Sequence, residues 1–122
     1  MTQAADARIP DYLEHILRAV ERIQRHTAGM NEEAFMGSEL VQDAVLRNIE
    51  ILGEAANKVL NAAPEFASRH SHIPWQVMYT MRNRVAHGYD TVDLGVVWRT
   101  VLHDLPHLYE HVQAVRSTLQ AP

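Results

Sequence analysis

The sequence predicts an all-α protein, a four- to five-helix, mostly antiparallel bundle. Apolar residues recur at three- and four-residue steps along most of the chain, the spacing of a buried helix face. With 5 Gly and 5 Pro in 122 residues, the chain has few turning points, which disfavours many short strands. No segment requires a strand. The 47% hydrophobic content is that of a globular protein, and the length suits one domain over residues 1–122. A domain of this size buries little surface alone, so a bundle that also buries a dimer face would be better stabilised.

The first helix is expected from Asp11 to Thr27, with Leu13, Ile16, Leu17, Val20 and Ile23 on one stripe. Pro10 suits a helix start, and Gly29 lies just past the end. Asn31 or Ser38 can cap the second helix, which should reach Leu60 through Val45, Ile49, Leu52, Ala56 and Val59. Gly53 falls inside it, where its small size permits a close helix crossing; Pro64 ends it. Glu65 to Ile73 reads as a short helix and loop. Pro74 opens a third helix carrying Trp75, Val77, Met78, Met81 and Val85, and Gly88 is placed to end it through a left-handed residue. Asp93 caps a last helix with Leu94, Val97, Val101, Leu105, Leu108 and Val112, which Pro106 should kink or split.

Composition narrows the function classes. With no cysteine, disulfides, thiolate nucleophiles and thiolate metal sites are excluded. The N-terminal stretch is polar and unlike a secretory signal. No apolar run approaches the roughly 20 residues that cross a bilayer, so no membrane association is expected and the expected location is the cytoplasm. The formal net charge of −4 argues against a broad nucleic-acid-coating surface, but not against a local basic cleft. Lys58 is the one lysine among 11 basic residues; the rest are arginines, whose planar guanidinium suits phosphate.

Chemistry concentrates in Met81-Arg82-Asn83-Arg84-Val85-Ala86-His87-Gly88-Tyr89-Asp90. Polar groups crowd the end of a helix whose other face must be core. Arg82 and His87, five apart, are separated by about 140° on an ideal helix and do not stack on one face, although Arg82 is long enough to curl toward the helix end. Such a group can cleave RNA without a metal. An imidazole titrating near neutrality takes the proton of a ribose 2′-hydroxyl, and a guanidinium stabilises the charge developing on the phosphoryl oxygens. Asn83 can orient the phosphate or the imidazole. One protomer offers one such histidine, so a symmetry mate across a two-fold axis is the natural source of the acid. The plainer reading is a histidine–glycine helix stop with a solvated arginine.

These residues match the Arg-x4-His signature of HEPN domains, and the extension through Tyr89 resembles the Arg-x4-His-x-Tyr form of HepT, the toxin of HepT–MntA toxin–antitoxin pairs. Arg47 to Ala56, Ile73-Pro74-Trp75, and Val92-Asp93-Leu94 through Trp98 with Asp104-Leu105-Pro106 are similar to that family as well, so the resemblance spans about Ser38 to Pro106. It implies a HEPN-like bundle, dimerising so that two motifs face one cleft, and a ribonuclease that needs no metal or other cofactor. It implies that Arg82 and His87 are catalytic with Asn83 assisting, and that RNA, with tRNA among the candidates, is the substrate. It further implies an MntA-like nucleotidyltransferase antitoxin that silences the enzyme by transferring AMP to Tyr89. Phosphate charge and bulk two residues from His87 would compete with RNA for the same arginines. The alternative within the family is a non-catalytic HEPN module that binds a nucleotide or a protein partner.

Other features rank lower. His103, His107 and His111 have a spacing that can present metal ligands, but Pro106 disturbs the register and no carboxylate completes a set; a structural bundle with a histidine-rich metal patch is the third reading. His70 and His72 belong to a loop. Glu50 and Glu54 sit one turn apart, where Arg47–Glu50 and Glu54–Lys58 pairs at helical spacing would offset their repulsion. The sharper reading is that Glu54 faces the cleft and holds Arg82 in place.

Overall fold

The computed structural model describes residues 3–120; the side chains of residues 3–6 and of residue 89 lie outside that description. Seven α-helices follow one another, with no strand among the described residues: α1 Gln3–Thr27, α2 Glu32–Met36, α3 Glu39–Ala62, α4 Pro64–Arg69, α5 Trp75–Gly88, α6 Leu94–Arg99 and α7 Leu105–Gln120. A 3₁₀ turn, Tyr89–Thr91, follows α5, and a π-helical segment, Thr100–Asp104, joins α6 to α7. The all-α bundle anticipated from periodicity is the observed architecture.

The central element is α3. It packs against α1 on one side and α5 on the other, and α7 lies along α1. The pairings are antiparallel: Glu14 meets Arg116 while Glu21 meets Tyr109, and Gly53 meets Arg82 and Met78 while Glu50 lies near Val85. Leu13, Ile16, Val20 and Ile23 of α1, Val45, Ile49, Ala56 and Val59 of α3, and Val97, Leu105, Leu108 and Val112 of the last two helices belong to one buried cluster. A side chain such as Leu or Ile contributes about 1.5–3 kcal/mol on full burial, so this cluster is the main source of stability.

Local chemistry sets the boundaries. Gly29, at φ 76°, turns the chain after α1 through the left-handed region. Both candidate caps are used, one each: Asn31 Oδ1 accepts the Ala34 N–H at 2.8 Å to open α2, and Ser38 Oγ accepts the Val41 N–H at 3.3 Å to open α3. Pro64 takes the first position of α4, where its missing N–H costs nothing. The indole N–H of Trp75 donates to the carbonyls of Ala67 at 3.2 Å and His70 at 3.1 Å, tying the start of α5 to the end of α4.

Two expectations are corrected and a third is made specific. Pro10 lies inside α1, which begins at Gln3 and runs through it, so proline's place in a first turn and in a tolerated interior position could not be told apart. Gly88 has φ −150° and not a left-handed value; α5 tightens into the 3₁₀ turn, held by Thr91 Oγ1 donating to the Gly88 carbonyl at 2.8 Å. The disturbance at Pro106 takes the form of a π segment, in which the Leu105 N–H reaches the Thr100 carbonyl five residues back.

Candidate active site

The motif occupies the second half of α5, and its setting begins with Gly53. A β-carbon there would lie 2.6 Å from the Met78 carbonyl oxygen and overlap the Cβ of Arg82. Only a hydrogen lets α5 settle this close to α3, and the contact falls on the backbone that carries Arg82. Helix crossings this intimate are where small residues are required.

Arg82 therefore leaves α5 beside α3. Its Nε lies 3.3 Å from Glu54 Oε1, and its Nη1 donates to Asn83 Oδ1 at 3.0 Å. Glu54 thus pairs with Arg82 across the helix interface, and among the described ion pairs neither Arg47–Glu50 nor Glu54–Lys58 occurs. The Arg82 and Glu54 side chains are 31% and 46% exposed, so the pair adds little stability; its effect is to fix a direction for the guanidinium. Held from α3 and from Asn83, Arg82 does not curl toward the end of its own helix.

His87 is exposed in the last turn of α5 and makes no side-chain hydrogen bond among the described residues. With Arg84, three residues earlier and on the same helix face, it lines an open groove of 1120 Å³ between α5 and α6–α7. Arg82 does not line that groove. The structure brings Arg82, Asn83 and Glu54 together and leaves His87 on a neighbouring face, with solvent reaching both. Tyr89 opens the 3₁₀ turn, and its side chain lies outside the described residues.

The groove holds a feature that sequence spacing did not reveal. His72, in the loop before α5, meets His111 of α7 edge to face, with ring centroids 5.2 Å apart, and lies 5.9 Å from the ring of His70. Burial, with lesser contributions from neighbouring His72 and Arg69, holds the His70 imidazole below its ordinary range. His107 lines the same groove. The i, i+4 spacing of His107 and His111 marked this face, but its partner His72 is distant in sequence. Among the described residues no three His, Asp or Glu side chains converge as a metal-binding group.

An all-helical bundle that displays Arg-x4-His at the end of a helix held against its neighbour by glycine defines the class, and comparison with known proteins places it. A family model described as ribonuclease HepT-like matches residues 16–115, and the chain belongs to that family. The probable ribonuclease HepT of Thermococcus cleftensis is 39% identical over 107 residues, 88% of this chain and 94% of that protein. A Caldanaerobacter subterraneus protein named as a candidate RNase is 35% identical over 104 residues, 85% of this chain and 90% of its own. A Methanocaldococcus jannaschii protein, named as a gamma-glutamylcyclotransferase and candidate RNase, is 40% identical over 108 residues. This chain covers 88% of its own length in that match but spans only 47% of that relative. No solved structure matches the chain.

Proposed function

We propose that this protein is a metal-independent RNA endonuclease toxin, working as a homodimer in the cytoplasm on RNA, with tRNA among its candidate substrates. The observation that carries the reading is that one half of a helix holds both an aimed guanidinium, Arg82 fixed by Glu54 and Asn83, and, on the neighbouring face, an exposed imidazole, His87. His87 is the general base. It removes the proton of a ribose 2′-hydroxyl, whose oxygen attacks the adjacent phosphorus and displaces the 5′-oxygen, leaving a cyclic phosphate and a free 5′-hydroxyl. Arg82 stabilises the charge on the phosphoryl oxygens, and Asn83 steadies Arg82. Because one chain presents a single His87, the proton for the leaving oxygen comes from the second protomer's copy. No helix among the described residues is long and apolar enough to cross a membrane.

Control falls to Tyr89, two residues past His87, as the acceptor of AMP from a cognate MntA-like nucleotidyltransferase. The test is cleavage of RNA in excess EDTA. The wild-type protein is expected to cut, and Arg82→Ala and His87→Ala are each expected to lose at least about a hundredfold in rate, the scale of a lost acid–base or oxyanion partner. Co-expression with the nucleotidyltransferase should silence the wild type and add the mass of an AMP group to the Tyr89 peptide. Cleavage that needs a divalent cation, or that survives either alanine variant, overturns the mechanism. A protein that cleaves nothing yet binds nucleotide or partner would instead be the non-catalytic module.

A further inference from the structure

Beyond the two motif residues, the groove beside His87 has the make-up of a substrate track. It follows α5 from His72 and Pro74 at one end to Arg84, His87 and Gly88 at the other, about 20 Å at the rise of an α-helix. At 1120 Å³ it exceeds the usual pocket for one small ligand, as an open channel for a polymer would. Four of the 8 histidines and Arg84 line this groove. The carboxylates on its rim are Asp93 and Asp104, and Asp93 Oδ1 is committed to the Gly95 and Val96 N–H groups at the start of α6. Arg84 is exposed and makes no ion pair among the described residues.

Between these ends the lining is apolar. Val77 and Val96 stand exposed on opposite walls, at 65% and 40%, over a floor that includes Leu105 and Leu108. His72 and His111 present one ring face and one ring edge to each other, leaving imidazole surface on which a base can stack and N–H groups that a phosphate can accept from. An exposed guanidinium and imidazole rings along an apolar track suit a single strand, whose bases need somewhere to lie once they leave a duplex stack.

Resting on the ribonuclease reading above, we infer that this groove holds the single-stranded RNA flanking the scissile phosphate. Arg84 binds the phosphate next to the one attacked, and His72 and His111 hold the strand at the far end. These three bind substrate and do not take part in bond making. His87 marks where the groove meets the reacting linkage.

The test uses a short single-stranded RNA carrying 2′-O-methyl at every position, which has no nucleophile and cannot be cut. Binding is followed by fluorescence anisotropy over a salt series. Arg84→Ala and the double variant His72→Ala/His111→Ala are each expected to weaken binding about tenfold. Arg84→Ala should also reduce the slope of log affinity against log salt by about 0.7, the loss of one phosphate contact to a single strand. Arg84→Lys should restore the slope. On a cleavable RNA the same variants should raise KM and leave kcat within about threefold. Melting temperatures near that of the wild type show that the fold is kept; should the histidine double variant melt early, Arg84→Ala decides. Affinity and slope unchanged in Arg84→Ala, while the wild type still binds and cuts, overturns this inference and leaves the ribonuclease reading intact. Loss of dimer in the variants assigns the groove to a second copy of the chain and also overturns it. A wild type that neither binds nor cuts RNA removes both readings together.

Discussion

At the scale of single residues, the instructive contact is between Arg82 and Glu54. A half-exposed ion pair is worth about 0–1 kcal/mol, so its stabilising effect is small. Its geometric effect is larger, because a guanidinium that must meet a phosphoryl oxygen in one orientation loses rate quickly when it wanders. Glu54→Gln is therefore expected to lower kcat about tenfold while leaving KM and the melting temperature near wild type. Steady-state kinetics beside a thermal melt decide this, and an unchanged kcat ends the positioning role. Part of this arrangement is legible in the chain: Gly53 suggests a close crossing and Glu54 a partner for Arg82, but neither names α5 as the helix crossed. The direction of Arg82 is not legible, because helical spacing gives angles around α5 and says nothing of the neighbour that will claim the side chain.

Among elements, the α3–α5 contact orders the rest. Gly53→Ala is predicted to destabilise the fold by about 1–3 kcal/mol, the usual cost of overpacking, and to displace the motif as α5 yields. Chemical denaturation should show the loss, and a midpoint equal to the wild type's would mean that the close approach is not required. Element ends were legible wherever the signal was local: the caps at Asn31, Ser38 and Asp93, and the turn at Gly29, each rest on one or two hydrogen bonds or a single dihedral angle. They were not legible where two conformations compete at similar cost. Pro10 in a first turn or an interior turn, and Gly88 in a left-handed or a 3₁₀ ending, are settled by packing from elsewhere in the molecule. The His72–His111 contact belongs with these, because a loop and α7 meet only after the bundle has closed.

For the molecule as a whole, two polar contacts tie α1 to α7. Arg116 Nη2 lies 2.7 Å from Glu14 Oε1, and Tyr109 donates to Glu21 Oε2 at 2.7 Å. The hydrogen bond from Arg18, aided by the Arg116 charge, holds the Glu14 carboxyl below its ordinary range. Arg84 and His87 are exposed at the end of α5, where the proposed reaction requires a second protomer. A stable dimer takes roughly 800 Å² from each partner, a modest part of the 7175 Å² this chain exposes. Specific activity should then fall on dilution, in step with dissociation followed by sedimentation. Activity per chain that stays constant into the monomeric range would show that one copy suffices.

The π-helical segment between α6 and α7 has a consequence for how this protein can change. An additional residue in a helix swings everything beyond it by about 100°, so the outward aim of His107 and His111 depends on a wide turn several positions upstream. Shortening Thr100–Asp104 by one residue would keep both of these imidazoles and yet point them elsewhere, away from His72 and His87. The composition of the RNA track and its orientation are thus under separate control, and one indel could retire the track without touching a residue that lines Arg82's corner.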